Sequence, residues 1–201
     1  MHTSVRRIAL AALALPLLLA GCADDDPVPK IPDASTPSAS VTGTSDPDDP
    51  DEPVEPVEPV EPTLPPEAEG KGNEAAEAFV RYYYDAVNYA QATGETSGLA
   101  ELGLESCTAC NGGLQFIHAL YERGGTNRGG EYTLTSSEVK GRSEVSSTVE
   151  SVDLEVVTAH TRQEVTGAGD MDRVYEAGES TQNFRLIHDP TGWHVASWSV
   201  N

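Results

Sequence analysis

The chain has 201 residues, a formal net charge of −21 and an aromatic content of only 6%. Its 33 acidic and 12 basic residues do not supply the basic surface that nucleic-acid binding requires, so we expect no nucleic-acid partner. An acidic protein is also repelled by an anionic membrane surface, so attachment to a membrane would need a lipid rather than charge.

The first 22 residues have the features of a secretory signal that ends at a lipidation site. Two arginines precede an apolar run, Ile8 to Ala20, which is too short to span a membrane as a helix. Residues 19–22 read Leu-Ala-Gly-Cys and resemble the lipobox of bacterial lipoproteins, a family in which the chain is cut before the cysteine and the thiol carries a diacylglycerol. We therefore predict a signal peptide over 1–21, lipidation of Cys22 and a location on the extracytoplasmic face of the cell membrane. The alternative is an ordinary secreted protein with a chance cysteine.

The following segment, 22–66, is acidic and rich in proline. Its twelve prolines and its lack of aromatic residues prevent it from burying a core, so we predict a disordered linker. A Glu-Pro-Val repeat from Glu52 to Pro62 has the period of polyproline II. At ~3.1 Å per residue the linker would reach roughly 130 Å, which describes a stalk for a folded domain over 67–201. The alternative is a proline-rich ligand for a recognition domain.

The chain between Asn73 and Gly94 predicts one long helix that is apolar around most of its circumference. Its main apolar face, at helical spacing, consists of Ala76, Phe79, Val80, Tyr83, Val87 and Ala90. Its narrow polar stripe consists of Glu74, Glu77, Arg81, Asp85 and Asn88. Within the stripe, Arg81 forms i,i+4 pairs of opposite charge with Glu77 and Asp85. A surface helix would carry a wider polar face, so we expect this helix to be wedged against a sheet, with Asn73 as its N-cap.

Two shorter helices and an antiparallel meander are predicted to follow. The helices are expected over Gly98–Leu102 and Asn111–Arg123. The strands are expected from Tyr132, over Thr148–Thr161, over Thr181–His188 and over Trp193–Val200. Val139 is out of phase with Tyr132, which predicts a bulge near Ser136. Asp189-Pro-Thr-Gly192 predicts a turn. Helices followed by a meander indicate an α+β fold.

Two motifs carry a resemblance to known families. The order of elements, closing in Gly192-Trp-His-Val-Ala-Ser-Trp198, resembles the NTF2-like (SnoaL-like, ketosteroid-isomerase-like) fold, a cone of N-terminal helices on a bent antiparallel sheet. The segment from Ala78 to Ala90, with a Cys-x-x-Cys downstream, is similar to a family of uncharacterised lipoproteins of high-GC Gram-positive bacteria. That resemblance covers 67–201. It implies a fold but no activity, since the family has none assigned.

Cys107 and Cys110 are the only cysteines left after lipidation of Cys22. A pair this close in an extracytoplasmic protein predicts a local disulfide, which stabilises by ~2 kcal/mol or less because its loop is short. A redox motif would need a thioredoxin-like βαβ pattern, which the sequence lacks. A zinc site would need about four ligands, and the histidines show no ligand spacing, so we predict no metal and no cofactor.

A cone of this kind often holds a ligand pocket. The side chains that could line it are Tyr83, Phe116, His118, His188 and Trp198. Ketosteroid isomerases use an Asp base with a Tyr/Asp pair in an apolar cavity, but the sequence places Asp85 on the polar stripe of the first helix. We therefore predict no catalytic residue.

Two functions remain open at this point. The first is a non-enzymatic module, carried on the stalk, that binds a protein, a glycan or a small apolar ligand. The second is an extracytoplasmic NTF2-like enzyme of the isomerase or hydratase type that acts on a small apolar ligand. A converging Asp/His/Tyr cluster inside the cone would favour the enzyme, and a cone filled by aromatic side chains would favour the module.

Overall fold

The computed structural model describes residues 58–201. The predicted signal peptide, Cys22 and most of the predicted linker lie outside the described residues. The described part is an α+β fold in which three helices pack on an antiparallel sheet, with a second, smaller sheet beside it. This confirms the predicted fold class. Within 58–201, no helix is both long and apolar enough to cross a membrane.

The helices and strands follow one another in the predicted order. The helices are α1 (Asn73–Thr93), α2 (Ser97–Glu101) and α3 (Thr108–Glu122). The strands are β1 (Thr126–Gly129), β2 (Tyr132–Glu144), β3 (Glu150–His160), β4 (Gln163–Thr166), β5 (Arg173–Tyr175), β6 (Gly178–Asp189) and β7 (Gly192–Val200). The main sheet has the order β2-β3-β6-β7 and the second sheet the order β1-β4-β5, with every neighbouring pair antiparallel.

Helix α1 buries the face that its periodicity predicts, and the exposed fraction of Phe79 is only 1%. Its N-cap is Gly72 rather than Asn73, so that part of the prediction is wrong. Gly72 has a φ of 104°, which suits glycine, and its N–H donates to Glu150 Oε1 at 3.1 Å; this contact attaches the chain entering α1 to the sheet and places Asn73 inside the first turn. Arg81 and Asp85 are exposed as predicted, but within 58–201 Arg81 forms no ion pair closer than 4.0 Å.

The main sheet contains the predicted bulge. The register of β2 against β3 shifts between Leu134 and Ser136, and shifts again between Val139 and Gly141. The first shift adds one residue to β2, which changes the phase of the side chains along the strand. As a result Tyr132, Leu134 and Val139 all pack on the core, although alternation alone would place Val139 on the other face.

Helix α3 begins earlier than the sequence predicts. Its first residue is Thr108, and the N-cap is Cys107, whose Sγ accepts the N–H of Cys110 at 3.2 Å. Cys107 and Cys110 are joined by a disulfide, as predicted from their spacing. The bridge therefore closes the first turn of α3, and the inner face of the helix continues through Ile117 and Leu120.

The second sheet is the main feature that the sequence analysis missed. Its strands have four, four and three residues, and their sequences do not alternate regularly between apolar and polar residues. For this reason β1 and β5 fall in segments that were not predicted as strands. The sheet covers a small buried cluster of Leu120, Val165 and Ala168. Because Leu120 lies near the end of α3, the second sheet packs against that end of the helix.

The chain is tied to the domain before α1 begins. Glu61 and Pro62 lie beside Tyr82 of α1, so packing starts before residue 67, the predicted beginning of the domain. A short 3₁₀ helix, Pro66–Ala68, follows and buries its last residue. The Trp193 Nε1–H then donates to the Gly70 carbonyl oxygen at 2.7 Å, which attaches this segment to β7.

Candidate ligand pocket

A pocket of about 370 Å³ lies between α1, α3, one end of the main sheet and the second sheet. This volume falls within the roughly 300–1,000 Å³ that is usual for small-molecule sites. Phe116 of α3 and Tyr175 of β5 are 36% and 38% exposed, so they mark the side on which the pocket opens. The cone is therefore neither completely filled nor closed.

One wall of the pocket is a continuous row of rings. The centroids of Tyr83 and Tyr84 are 5.9 Å apart, those of Tyr84 and Tyr132 are 5.4 Å apart, and those of Tyr132 and His160 are 5.8 Å apart. The Tyr84 hydroxyl donates to Gln182 Oε1 at 3.0 Å, which holds the middle of the row in place. We call these four rings the aromatic wall.

Helix α3 supplies a second wall, in which small residues leave space. Ala109 and Gly113 lie one helical turn apart and both line the pocket. A Cβ added at Gly113 would meet no atom within 4 Å, apart from its chain neighbours and the backbone of its own helix. Leu114 and Ile117 continue this wall as larger apolar side chains.

Three amide side chains form the polar corner of the pocket. Gln163 Nε2 donates to Gln91 Oε1 at 3.1 Å and to Asn127 Oδ1 at 2.9 Å. Asn127 Nδ2 in turn donates to the Gly129 carbonyl oxygen. We call Gln91, Asn127 and Gln163 the amide cluster. It joins α1 to strands β1 and β4.

The pocket is lined by side chains without a formal charge. No Asp, Glu, Lys or Arg of the described chain lines it, and His160 is its single histidine there. Burial raises the pKa of Tyr83 to about 12; the indole N–H of Trp198 opposes that rise, although it approaches the hydroxyl without good hydrogen-bond geometry. Burial also raises the pKa of Tyr84 and of Tyr132. These tyrosines therefore keep their protons at neutral pH.

Three of the five predicted pocket residues lie in the pocket, namely Tyr83, Phe116 and Trp198. His118 does not, because one step along a helix turns a side chain by about 100° and its neighbour Ile117 already faces inward. The His118 side chain is 63% exposed, and its Nδ1 lies 3.2 Å from Glu122 Oε2 on the outer surface.

His188 also lies outside the pocket. It shares a face of β6 with Gln182, which lines the pocket, but six residues of strand separate the two positions by about 20 Å. The His188 ring packs edge-on against Trp193, with centroids 4.8 Å apart. Burial lowers the pKa of His188, and its Nδ1 has no hydrogen-bond partner within 58–201. This residue belongs to the far end of the core.

Glu150 has a structural role beside His188. Its side chain is buried and accepts hydrogen bonds from Gly72 N–H and from Arg142 Nε, the latter at 2.9 Å. Burial alone would raise the pKa of Glu150, but these two donors outweigh it and the pKa is lowered. The carboxylate therefore fastens the beginning of α1 to the sheet as an ionised group.

Several pocket residues were not identified from the sequence. Tyr84 and Tyr132 both lie in elements that were predicted, and helical spacing from Val80 could have placed Tyr84 on the inner face. The amide cluster could not have been found in this way, because Asn127 and Gln163 lie on strands of the second sheet, which the sequence does not signal.

These features define a small α+β domain with an open, uncharged and largely apolar pocket. The chain belongs to the family of unknown function DUF6318, whose model matches residues 47–198. No curated protein matches the chain. Membership of this family therefore supports the resemblance to an uncharacterised family without adding an activity.

Several solved structures are similar to the chain at low identity. The intermembrane space region of the chloroplast protein ARC6 is 13% identical with a TM-score of 0.48, covering 65% of this chain and 97% of that one. A domain of unknown function with a cystatin-like fold from Nostoc punctiforme is 13% identical with a TM-score of 0.31, covering 61% and 74%. A function-unknown protein from Mycobacterium tuberculosis is 14% identical with a TM-score of 0.36, covering 61% and 73%.

Proposed function

We propose that this protein is a lipid-anchored, extracytoplasmic binding protein whose domain holds a small apolar ligand in the pocket between α1 and α3. The observation that carries the binding role is the open pocket of about 370 Å³ with its uncharged lining. The proposed anchor is supported by the lipobox-like sequence that ends at Cys22, and the proposed stalk by the proline-rich segment. As part of the same proposal, we infer that the protein is a lipoprotein of a high-GC Gram-positive bacterium.

The walls of the pocket favour an apolar ligand for a simple energetic reason. Leu99, Leu114 and Ile117 line it together with the aromatic wall, so a ligand there would exchange water for apolar contacts. Each 100 Å² of apolar surface removed from water contributes about 2.5 kcal/mol, before the cost of association is subtracted. A ligand that fills the pocket could therefore bind without any charged contact.

The same lining favours binding over an isomerase or hydratase reaction. Such reactions need a positioned acid or base. No carboxylate of the described chain lines the pocket, and the histidine that does, His160, forms no ion pair with a carboxylate within 58–201; its Nδ1 lies 3.2 Å from the Thr161 carbonyl oxygen. The raised pKa of Tyr83 keeps its hydroxyl protonated, so it is a poor base at neutral pH. A binding role uses all of the features that are present and requires no cofactor.

Replacing Gly113 with leucine tests the pocket as the binding site. Gly113 is exposed at the edge of the pocket, and a Cβ there would meet no atom within 4 Å, so a leucine should extend over the ligand volume without a clash of its Cβ. Leucine also has a higher helix propensity than glycine, by about 0.5–1 kcal/mol, so the variant should be at least as stable as the original protein. We expect the neutral fluorescent probe N-phenylnaphthylamine to bind the original protein and to lose most of its affinity for Gly113→Leu.

Gly112→Leu is the matched control for that experiment. Gly112 precedes Gly113 on α3, is exposed and does not line the pocket, so the same chemical change should leave probe binding intact. Fluorescence titration gives the affinities, and thermal unfolding confirms that both variants are folded. If the two variants bind the probe equally well, or if the original protein does not bind it, the proposed site is wrong.

Replacing Cys22 with serine tests the anchor. The original mature protein should begin at acylated Cys22 and partition into the detergent phase, because two acyl chains are sufficient for stable attachment. Cys22→Ser should remain unprocessed or be released from the membrane, as measured by lipid labelling and fractionation. The double variant Cys107→Ser/Cys110→Ser is the control, and it should keep its lipid label. A Cys22→Ser protein that stays labelled and equally membrane-bound would contradict the proposal.

A further inference from the structure

The charge of the pocket restricts the charge of its ligand. A charged ligand would lose its hydration on entering, and the pocket lining of the described chain holds no group of full opposite charge to replace it. An anion would in addition be repelled by a chain whose formal net charge is −21. The site therefore favours an uncharged molecule.

The shape of the two walls favours a flat molecule. The aromatic wall presents rings whose planes are tilted by 44° to 81° to one another, so it offers both ring faces and ring edges to an aromatic ligand. From α3, Ala109 and Gly113 contribute one methyl group and no side chain, so they leave space next to the helix backbone. A ring system can use both walls at once, whereas a flexible chain would lose conformational entropy there.

The amide cluster supplies the polar end of the site. Its internal hydrogen bonds use one nitrogen of Gln163 and the oxygens of Gln91 and Asn127. Within 58–201, the Gln91 side-chain nitrogen and the Gln163 side-chain oxygen form no hydrogen bond, although both residues line the pocket. The orientation of the three amides is fixed, because Asn127 Nδ2 donates to the Gly129 carbonyl oxygen and Asn127 Oδ1 must therefore face the Gln163 nitrogen. Neither atom is fully buried, so water can reach both when no ligand is bound, and the amide edge of a ligand can replace that water.

We propose that the pocket takes an uncharged, flat ring compound whose edge carries a hydrogen-bond donor next to an acceptor, as in a cyclic amide. The rings lie against the aromatic wall, and the amide edge pairs with the amide cluster. This inference rests on the proposed function, and it adds the chemical class of the ligand.

Four probes test the features of this class separately. Carbostyril is a neutral bicyclic lactam, and N-methylcarbostyril has the same rings without the donor. N-methylquinolinium is flat but cationic, and dodecanol is apolar but has no ring. In calorimetric titration we expect carbostyril to bind most tightly, and N-methylcarbostyril to bind about tenfold more weakly, since one net hydrogen bond is lost. The other two should bind more weakly still.

Gln91→Met removes one amide of the cluster while keeping the length of the side chain. The Gln91 carbonyl oxygen, which accepts the Tyr121 hydroxyl, belongs to the backbone and is retained. Carbostyril and N-methylcarbostyril should both lose about tenfold in affinity for this variant, because both keep the ring carbonyl to which Gln91 Nε2 would donate, while dodecanol should be unaffected. Gln115→Met is the control, because Gln115 is exposed on α3 and does not line the pocket.

The outcomes separate this inference from the proposed function. If dodecanol binds, is excluded by Gly113→Leu and competes better than carbostyril, the pocket is an apolar site and the ligand class is wrong. Tighter binding of N-methylquinolinium would identify a cation–π site and would also overturn the class. If neither these probes nor N-phenylnaphthylamine binds the original protein, the proposed function fails together with the inference.

Discussion

Replacing Phe79 with alanine should lower the free energy of unfolding by about 3–5 kcal/mol. Phe79 lies in the centre of the buried face of α1, is 1% exposed, and has its ring centroid 6.4 Å from that of Trp193. Truncation would leave a cavity between the helix and the main sheet, where the surrounding strands cannot close it. Since domains of this size have about 5–15 kcal/mol in total, the variant should be largely unfolded or poorly recovered.

Arg81→Ala is the matched test of the orientation of α1. Arg81 is two residues along the same helix, is exposed, and forms no ion pair closer than 4.0 Å within the described part of the chain. A surface change of this kind costs about 0.5 kcal/mol or less. Urea denaturation should give a far lower midpoint for Phe79→Ala than for Arg81→Ala. Equal midpoints would mean that α1 does not pack as described.

Replacing Gly129 with alanine should lower the free energy of unfolding by a comparable amount. A Cβ at this position would lie 2.1 Å from the carbonyl oxygen of Arg162, and the residue has a φ of 69°. The left-handed backbone costs about 1–2 kcal/mol for alanine, and overlap with a backbone atom that cannot rotate away adds about 1–3 kcal/mol. Gly129 pairs with Gln163, so separating β1 from β4 should also displace the amide cluster.

Gly124→Ala separates the steric part of this effect from the conformational part. Gly124 also has a positive φ, of 76°, but an added Cβ would meet no atom within 4 Å. The Gly124→Ala variant should therefore be destabilised only by the conformational term, about 1–2 kcal/mol of unfolding free energy. The two denaturation midpoints, together with carbostyril affinity, test the second sheet directly. Indistinguishable values for the two variants would contradict the close approach of Gly129 to Arg162.

Much of the fold could be predicted because its signals are local. In a helix, residues three and four apart share a face, so the buried side of α1 around Phe79 and Tyr83 follows from spacing alone. Alternation in the same way places Val152, Leu154 and Val156 on the buried face of β3. The disulfide is local too, because only three positions separate Cys107 from Cys110.

Local sequence signals did not predict the N-cap of α1 correctly, nor the positions of His118 and His188 relative to the pocket. The N–H of Gly72 donates to Glu150, which is distant in sequence, and this contact places Asn73 inside the helix instead of at its cap. His118 and His188 both lie in correctly predicted elements, but the sequence does not indicate which end of a strand or which side of a helix borders a pocket. That depends on how the elements pack against one another.

By itself, the sequence determined the α+β class, the helix at the centre of the core, the long strands and the cysteine pair. Only the tertiary structure decided the second sheet, the open pocket and the amide cluster. The physical reason is distance along the chain: Gln163 is 72 residues from Gln91 and 36 from Asn127, yet hydrogen-bonds to both. No periodicity records such a contact, because it exists only once α1, β1 and β4 have packed together.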